Sequence, residues 1–347
     1  MFSAEDALFL QRCLQLASLA GAEAQPNPMV GCVIVHQGEI IGEGYHHGPG
    51  LPHAEPEALR SVQAKERLAE ATLYVNLEPC NHFGRTPPCT EAILHSGIRR
   101  VVLGMRDPHP LVAGTGIQRL QQAGINVVIA PDEKAYRQFN KVFLHTISKS
   151  TPWCTLKWAQ DAAGHMGDRN RRVQISDIAT APFVHKLRAA HQAILVGANT
   201  MIIDQPHLGT RFFPGPQPLR IVLDPEGRVP LACFDALPAA SWIWLVRHPI
   251  SDAQTQVPKH LFEDLPSLMT WLYTTFHIQS ILIEGGQWVL QQCIQQKVGQ
   301  SIVRIKSTRN VNLTDPVIAP DFPEYIGNQL LEFVSGQDMV QVVEVEV

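Results

Sequence analysis

Pro52-His53-Ala54-Glu55, followed by Glu78-Pro79-Cys80 and then Cys89, is the pattern from which this chain of 347 residues is read. His53, Cys80 and Cys89 offer one imidazole nitrogen and two sulfurs, a borderline-soft donor set that suits Zn²⁺. Three protein donors leave a fourth position open for water. Glu55, two residues after His53, is spare, and its place beyond the histidine suits it to moving protons rather than holding metal. His-x-Glu alone carries no information, and two cysteines this far apart are usually core thiols. Together, with Pro79 ahead of Cys80 and a strand ahead of each element, they specify a catalytic metal site. The alternative is a structural four-ligand site completed by His82, in which Glu55 has no role.

The order of elements outward from this pattern reads as alternating α/β. Residues 4 to 20 carry helical spacing, and Met29 to Val35 is a buried strand. Gln37-Gly38 turns it into a second strand, Glu39 to Tyr45. His53 opens a helix, Thr72 to Leu77 is a third strand, and Cys89 opens a helix closed by Gly97. The ligands are expected at helix starts, where the helix N-terminus favours thiolate over thiol. Arg99–Gly104 and Asn126–Ile129 are further strands around a helix at Gly116–Ala123, and 132 to 147 reads as one helix. Ser148 to Pro152 is a polar break, so we expect domains at 1–147 and 148–347.

The second domain repeats the α/β pattern. Strands are expected at Trp153–Ala159, Gln192–Val196, Leu219–Leu223, Ser241–Val246, Ser280–Ile283, Ser301–Lys306 and Met339–Val347. Helices are expected at Ala181–Ala190, Leu265–Phe276 and Trp288–Gln296. The stretches 210–218 and 307–329 read as surface loops.

Composition excludes several classes. Apolar residues are 45% and charged residues 17%, ordinary for a folded enzyme, and the net charge is −4. No basic stripe with interleaved aromatics argues for a nucleic-acid partner. No apolar run reaches the ~18 residues of a membrane span, and the acidic start Met1-Phe2-Ser3-Ala4-Glu5-Asp6 does not read as a secretory signal. Seven scattered cysteines do not form a disulfide framework, so a reducing, cytoplasmic setting is expected.

His-x-Glu followed by Pro-Cys and a second Cys is the signature of zinc nucleobase deaminases, which usually space the cysteines Cys-x-x-Cys. Here the insert Asn81-His82-Phe83-Gly84-Arg85-Thr86-Pro87-Pro88 separates them and suits a substrate larger than a bare base. With Pro26-Asn27-Pro28-Met29-Val30-Gly31, this stretch closely resembles the bifunctional riboflavin-biosynthesis deaminase/reductases. The resemblance implies a cytidine-deaminase-like fold and a phosphoribosyl-pyrimidine substrate deaminated at C2. It makes Asn27, His46 or His47, Asn76, His82 and Arg85 candidate substrate contacts.

The rest of the chain is similar to that family's reductase half, through Leu156-Lys157-Trp158-Ala159, His185-Lys186-Leu187-Arg188-Ala189, Gly197-Ala198-Asn199-Thr200, Asp204 to Arg211, Leu219 to Asp224 and Ile283-Glu284-Gly285-Gly286. The resemblance implies a dihydrofolate-reductase-like fold, NADPH as cofactor, and a homo-oligomer, dimer or tetramer. It assigns cofactor contacts to Ala159, Gln174, Thr200, Asp204, Asp224, Gly285 and Gly286. Substrate contacts fall to Lys157, Arg172, Arg188, Leu208, Arg211 and Glu284, with Arg188 and Arg211 expected to fork onto the phosphate. The Gly turns at Gly197 and Gly285-Gly286 are of the kind that presents backbone N–H groups to a pyrophosphate.

Several positions depart from the family pattern. Ala163 stands where the family has Asp, Arg172 where it has Ser, and Gln174 where it has Trp. Gly299-Gln300 also replaces an Asp-Glu pair. Losing the Trp removes an aromatic wall from the expected cofactor pocket. A second reading follows, in which the C-terminal domain is degenerate as a reductase and serves binding or assembly.

Overall fold

Gln37 and Gly38, at φ of 51° and 79°, turn β1 (Gly31–His36) back into β2 (Glu39–Tyr45). The pair is antiparallel, as a two-residue turn with positive φ at both positions requires. The computed structural model describes residues 1–84, 87–109, 113–235, 238–248, 257–322 and 326–345. Contacts divide the chain into Met1–Lys149 and Ser150–Val347.

In the first unit, α1 (Ala4–Ala17) precedes the hairpin. Then come α2 (Ala54–Ser61), β3 (Thr72–Val75), α3 (Cys89–Ser96), β4 (Arg100–Leu103), α4 (Thr115–Gln122), β5 (Asn126–Ile129), α5 (Lys134–Phe139) and α6 (Lys141–Lys149). The sheet order is β2-β1-β3-β4-β5, antiparallel at the hairpin end and parallel from β3 onward. A Cβ on Gly44 would stand 2.5 Å from the Ala58 nitrogen, and one on Gly42 would stand 2.6 Å from the Ala58 oxygen. Glycine at both positions therefore lets α2 lie backbone against backbone on β2, and α2 carries the site.

The single helix expected over 132–147 is two helices. Asn140 interrupts it, 2% exposed, accepting from the Met29 amide at 2.9 Å and donating to the Met29 carbonyl at 3.0 Å. Holding both backbone groups of one residue is a sheet-like role. It fixes the segment ahead of β1.

The second unit runs β6 (Trp153–Gln160), β7 (His165–Asp168), α7 (Ala181–Ala189), β8 (Ala193–Gly197), α8 (Ala198–Asp204), β9 (Leu219–Leu223), β10 (Trp242–Val246), β11 (Lys259–Leu261), α9 (Leu265–Phe276), β12 (Ser280–Ile283), α10 (Gln287–Gln295), β13 (Ser301–Ser307), β14 (Pro316–Ile318), β15 (Ile326–Ser335) and β16 (Asp338–Val345). The main sheet has the order β11-β10-β9-β8-β12-β6-β13-β16-β15. It is parallel from β11 to β13 and antiparallel after that. Alternate residues enter separate cores: Leu195, Ile221 and Ile243 in one, Ile194, Val222 and Trp244 in the other. Burial on both faces explains why these strands read as continuous apolar runs.

The surface loop expected over 307–329 contains β14 and the start of β15. Two register shifts, at Ile326/Gln329 and Gln329/Leu331, break the period-two alternation that marks a strand. Helix α8 went unread because it opens directly on Gly197 and is too short for a periodic pattern.

Candidate active sites

In the first unit, His53 is the N-cap of α2, which puts Glu55 in that helix's first turn. Cys89 is the first residue of α3. Cys80 does not open a helix, contrary to the expectation; it lies in the loop after β3. The α3 N-terminus still serves it, because the Cys89 amide donates to the Cys80 sulfur at 3.3 Å. His53 Nδ1 stands 3.2 Å from Cys89 Sγ and 3.6 Å from Cys80 Sγ.

The three donor atoms lie within 4.8 Å of one another, a triangle that tetrahedral bonds of about 2.0–2.3 Å to zinc can span. A hydrogen bond from the Cys89 thiol, helped by the Cys89 amide, pulls the Cys80 thiol down to about 4. The thiol–thiol bond, with burial, pushes Cys89 up. Soft donors and a thiolate-favouring setting, with three protein ligands rather than four, fit a catalytic zinc. Glu55, 3% exposed, is pushed up by burial and contacts the Cys89 thiol.

The other expected contacts divide. His46 is buried with both ring nitrogens in use. Nδ1 faces the Pro52 carbonyl at 3.0 Å and must donate, so Nε2 accepts from Asn27 Nδ2 at 2.8 Å. His46 thus orients Asn27 and the residue before His53, which corrects its expected place as a substrate contact. Asn76 is fully buried; its amide accepts from the Gly31 nitrogen at 2.8 Å and donates to the Met29 carbonyl at 3.0 Å, a bracing position. His82 is exposed and stands outside the metal-ligand group found among the described residues, so nothing supports it as a fourth ligand. Arg85 lies outside the described residues.

Glu78 was missed. Its buried carboxylate accepts four backbone amides: Asp107 and Gly114 on Oε2 at 3.2 and 3.1 Å, Gly116 and Ile117 on Oε1 at 3.0 and 3.2 Å. It ties the start of α4 to the residue two before Cys80. A glutamate directly before Pro-Cys was the only sequence signal.

In the second unit a cleft of about 1310 Å³ runs along the C-terminal ends of the parallel strands. After β8 the chain moves outward to β9, β10 and β11; after β12 it crosses β6 to β13. Between β8 and β12 is therefore the switch point, where open α/β sheets bind ligands. Both strands end in glycine turns, and they touch: a Cβ on Gly285 would stand 2.9 Å from Val289 Cβ and 3.3 Å from the Gly197 nitrogen. The cleft is larger than the ~300–1,000 Å³ usual for small-ligand pockets and is walled by arginines. Size, position and charge all fit a dinucleotide.

Of the expected reductase residues, Lys157, Ala159, Arg172, Gln174, Arg188, Thr200, Asp204, Leu208, Arg211, Glu284, Gly285 and Gly286 all line this cleft. Asp224 does not. It is fully buried, accepting from the Val229 amide at 2.8 Å and from Trp244 Nε1 at 3.1 Å, and so shapes the loop after β9. Arg188 is also placed differently from expectation. Its Nε and Nη2 meet the two Glu284 oxygens at 2.8 and 2.9 Å, so its fork is committed. Lys157 Nζ lies 3.6 Å from the same carboxylate. Burial alone would raise Glu284, but Lys157 and Arg188 outweigh it and hold it at about 2.

Ala163 is exposed and lies outside the cleft lining. The turn there is held by Asp161, which accepts from the amides of Ala163 and His165 at 3.0 and 2.8 Å. Gln174 is exposed in the cleft and donates to the Ser176 carbonyl at 3.0 Å. Among the described residues, no helix is long and apolar enough to cross a membrane.

These two sites have the form of a zinc-deaminase-like domain followed by an α/β domain with a switch-point cleft. Family models agree: the cytidine and deoxycytidylate deaminase zinc-binding region matches residues 3–105, and the RibD C-terminal domain matches 152–304. The chain belongs to the RibD family of riboflavin-biosynthesis proteins. Riboflavin biosynthesis protein RibD of Aquifex aeolicus is 46% identical over 229 residues, which is 65% of this chain and 64% of that protein, so the match spans under two thirds of that relative. RibD of Escherichia coli is 38% identical over 303 residues, 81% of this chain and 82% of that one. A solved diaminohydroxyphosphoribosylaminopyrimidine deaminase/5-amino-6-(5-phosphoribosylamino)uracil reductase from Thermotoga maritima superposes with a TM-score of 0.89 at 31% identity, covering 98% of this chain and 99% of that one.

Proposed function

We propose that the chain is a bifunctional enzyme. Residues 1–147 hydrolytically deaminate 2,5-diamino-6-ribosylamino-4(3H)-pyrimidinone 5′-phosphate. Residues 148–347 then reduce the ribosyl group of the product to ribityl with NADPH. The observation that carries the first step is the His53-Cys80-Cys89 triangle with Glu55 buried beside it. Zinc, when bound there, acts as a Lewis acid and lowers the pKa of its water toward neutrality. Glu55 accepts a proton from the attacking water and returns it to the ring nitrogen and then to the leaving amine, so that water and amine become carbonyl and ammonia. His46 orients Asn27 toward the substrate.

The second step is supported by the cleft at the switch point. NADPH, when bound, supplies the hydride; the glycine turns approach its pyrophosphate. Lys157, Glu284 and Arg188 form a rigid charged floor under the reacting end. Arg211, which has no ion pair among the described residues, is left to hold the substrate phosphate. The departure at Ala163 falls outside the cleft, while those at Arg172 and Gln174 line it.

A two-wavelength assay tests this reading by following deamination and NADPH oxidation separately. NADPH oxidation is expected only after deamination. Deamination without NADPH oxidation at any cofactor concentration would leave the reductase step without support and favour the module. Light scattering reads the expected homo-oligomer.

A further inference from the structure

We infer that His185 is a positioning residue for the reduction: as the neutral imidazole it accepts from the Phe212 amide and so sets Arg211 to take the substrate phosphate. This rests on the reductase reading above. His185 lies in α7 three residues before Arg188, so the two share a face of that helix. Both reach the same loop. Arg188 Nη1 donates to the Gly209 carbonyl at 3.2 Å, and His185 Nδ1 accepts from the Phe212 amide at 3.3 Å. Helix α7 therefore grips the chain on both sides of Arg211.

Between those two grips the chain makes a tight turn. The Phe213 amide donates to the Thr210 carbonyl at 3.1 Å, which makes Arg211 and Phe212 the two central residues. That bond leaves the Phe212 amide unused within the turn, and His185 takes it. The imidazole also meets the Phe212 ring in a T-shaped contact, with ring centres 4.8 Å apart. The Arg211 guanidinium carbon lies 5.8 Å from the centre of that same ring. His185, 5% exposed, thus holds Phe212 by backbone and by ring, and Phe212 carries the arginine. Arg211 and Phe212 are themselves exposed in the cleft.

A backbone amide can only donate, so Nδ1 is bare and the proton of the neutral ring is on Nε2. A second proton, on Nδ1, sets two donors against each other and releases Phe212. The charged groups acting on the ring are Arg188 on its own helix, Arg211 and His207 on the loop, and Glu284 after β12. Burial first, then Arg188 and Arg211, bring His185 below its ordinary 6.5; His207 acts with them and Glu284 against them. The neutral ring, and with it the grip on Phe212, is therefore kept at neutral pH and lost only in acid.

Steady-state kinetics of the reduction step on the full chain tests this, with the deaminated substrate supplied directly, NADPH saturating and the pH varied from about 5.5 to about 8. At about pH 8, His185→Ala is expected to raise KM for that substrate by about three- to tenfold, with kcat changed by less than about twofold. His185→Asn puts an amide oxygen near the place of Nδ1 and is expected to recover most of that loss. The substrate phosphate, with a second pKa of about 6, and His207 titrate in every variant. A rise of KM in acid that wild type shows and His185→Asn lacks therefore belongs to His185. An unchanged melting midpoint shows that a variant folds, and the comparison of wild type with His185→Asn stands without the alanine variant. KM unmoved in a folded His185→Ala, or the same acid dependence in wild type and His185→Asn, overturns the positioning role and leaves the reductase reading standing. So does a wild-type KM that falls in acid, the mark of an imidazolium bound directly to the phosphate. Wild-type chain that oxidises no NADPH with this substrate overturns both.

Discussion

Arg188 and Glu284 face each other through two parallel hydrogen bonds, 2.8 and 2.9 Å long, with both side chains almost fully buried. Glu284→Gln keeps the shape but leaves Arg188 and Lys157 as uncompensated buried cations. The expected cost is about 3–5 kcal/mol of stability, because the desolvation of the cations is no longer offset. Denaturant unfolding measures it. Adding Arg188→Met to Glu284→Gln should recover part of the loss; a double variant no more stable than Glu284→Gln alone would show that the pair is not the cause.

On the proposed reductase reading, the commitment of Arg188 to Glu284 leaves the substrate phosphate to Arg211. Arg211→Ala is expected to raise KM for the deaminated substrate by about tenfold or more with a smaller change in kcat. Steady-state kinetics of the reduction step checks this, with NADPH saturating.

Glu55→Gln is expected to retain one zinc per chain and to lose deamination by about 10²–10⁴-fold, the usual worth of a placed general base. Cys80→Ser and Cys89→Ser are expected to lose the metal itself. Metal analysis alongside the deamination assay separates the two outcomes, and near-normal turnover by Glu55→Gln would remove the proton-transfer role.

Glu78→Gln is expected to destabilise the first unit by about 2–3 kcal/mol and to weaken zinc binding, since an amide side chain accepts through one oxygen only and leaves amides of the α4 start unsatisfied. Thermal unfolding with and without chelator reads both effects. Unfolding unchanged in both conditions would place the anchoring of Cys80 elsewhere.

Asp6 gives the acid limb of stability. Burial pushes its carboxyl up, but Arg100, the Ser3 amide and the Tyr74 hydroxyl outweigh burial and bring it from 3.8 to about 2. A folded value below the unfolded one means that the stabilisation is complete above about pH 4 and is lost as the pH falls toward 2, about 2 kcal/mol in all. Asp6→Asn is therefore expected to be less stable than wild type at pH 7, with the gap closing at about pH 2–3. A gap independent of pH, in urea unfolding at both values, would contradict the ionic account.

The sequence by itself determined the His53-Cys80-Cys89 donor set and the order of most of the elements. Ligand identity and spacing are local chemistry: His53, Cys80, Cys89 and Glu55 carry the same meaning wherever the chain goes. The buried parallel strands advertise themselves as apolar runs, and Gln37-Gly38 fixes its own turn. Only the tertiary structure decided what the polar residues between those landmarks do. Asn76 and Asp224 read as substrate and cofactor contacts, Asn140 as one more helix residue, and Glu78 carried no reading, yet Asn76, Asn140 and Glu78 are buried against backbone groups far away in the chain and Asp224 braces its own loop. Arg188 read as a phosphate fork until the fold brought Glu284, 96 residues later, against it. A side chain's donors are fixed by its residue type, but its partner is fixed by which strand ends the sheet sets side by side.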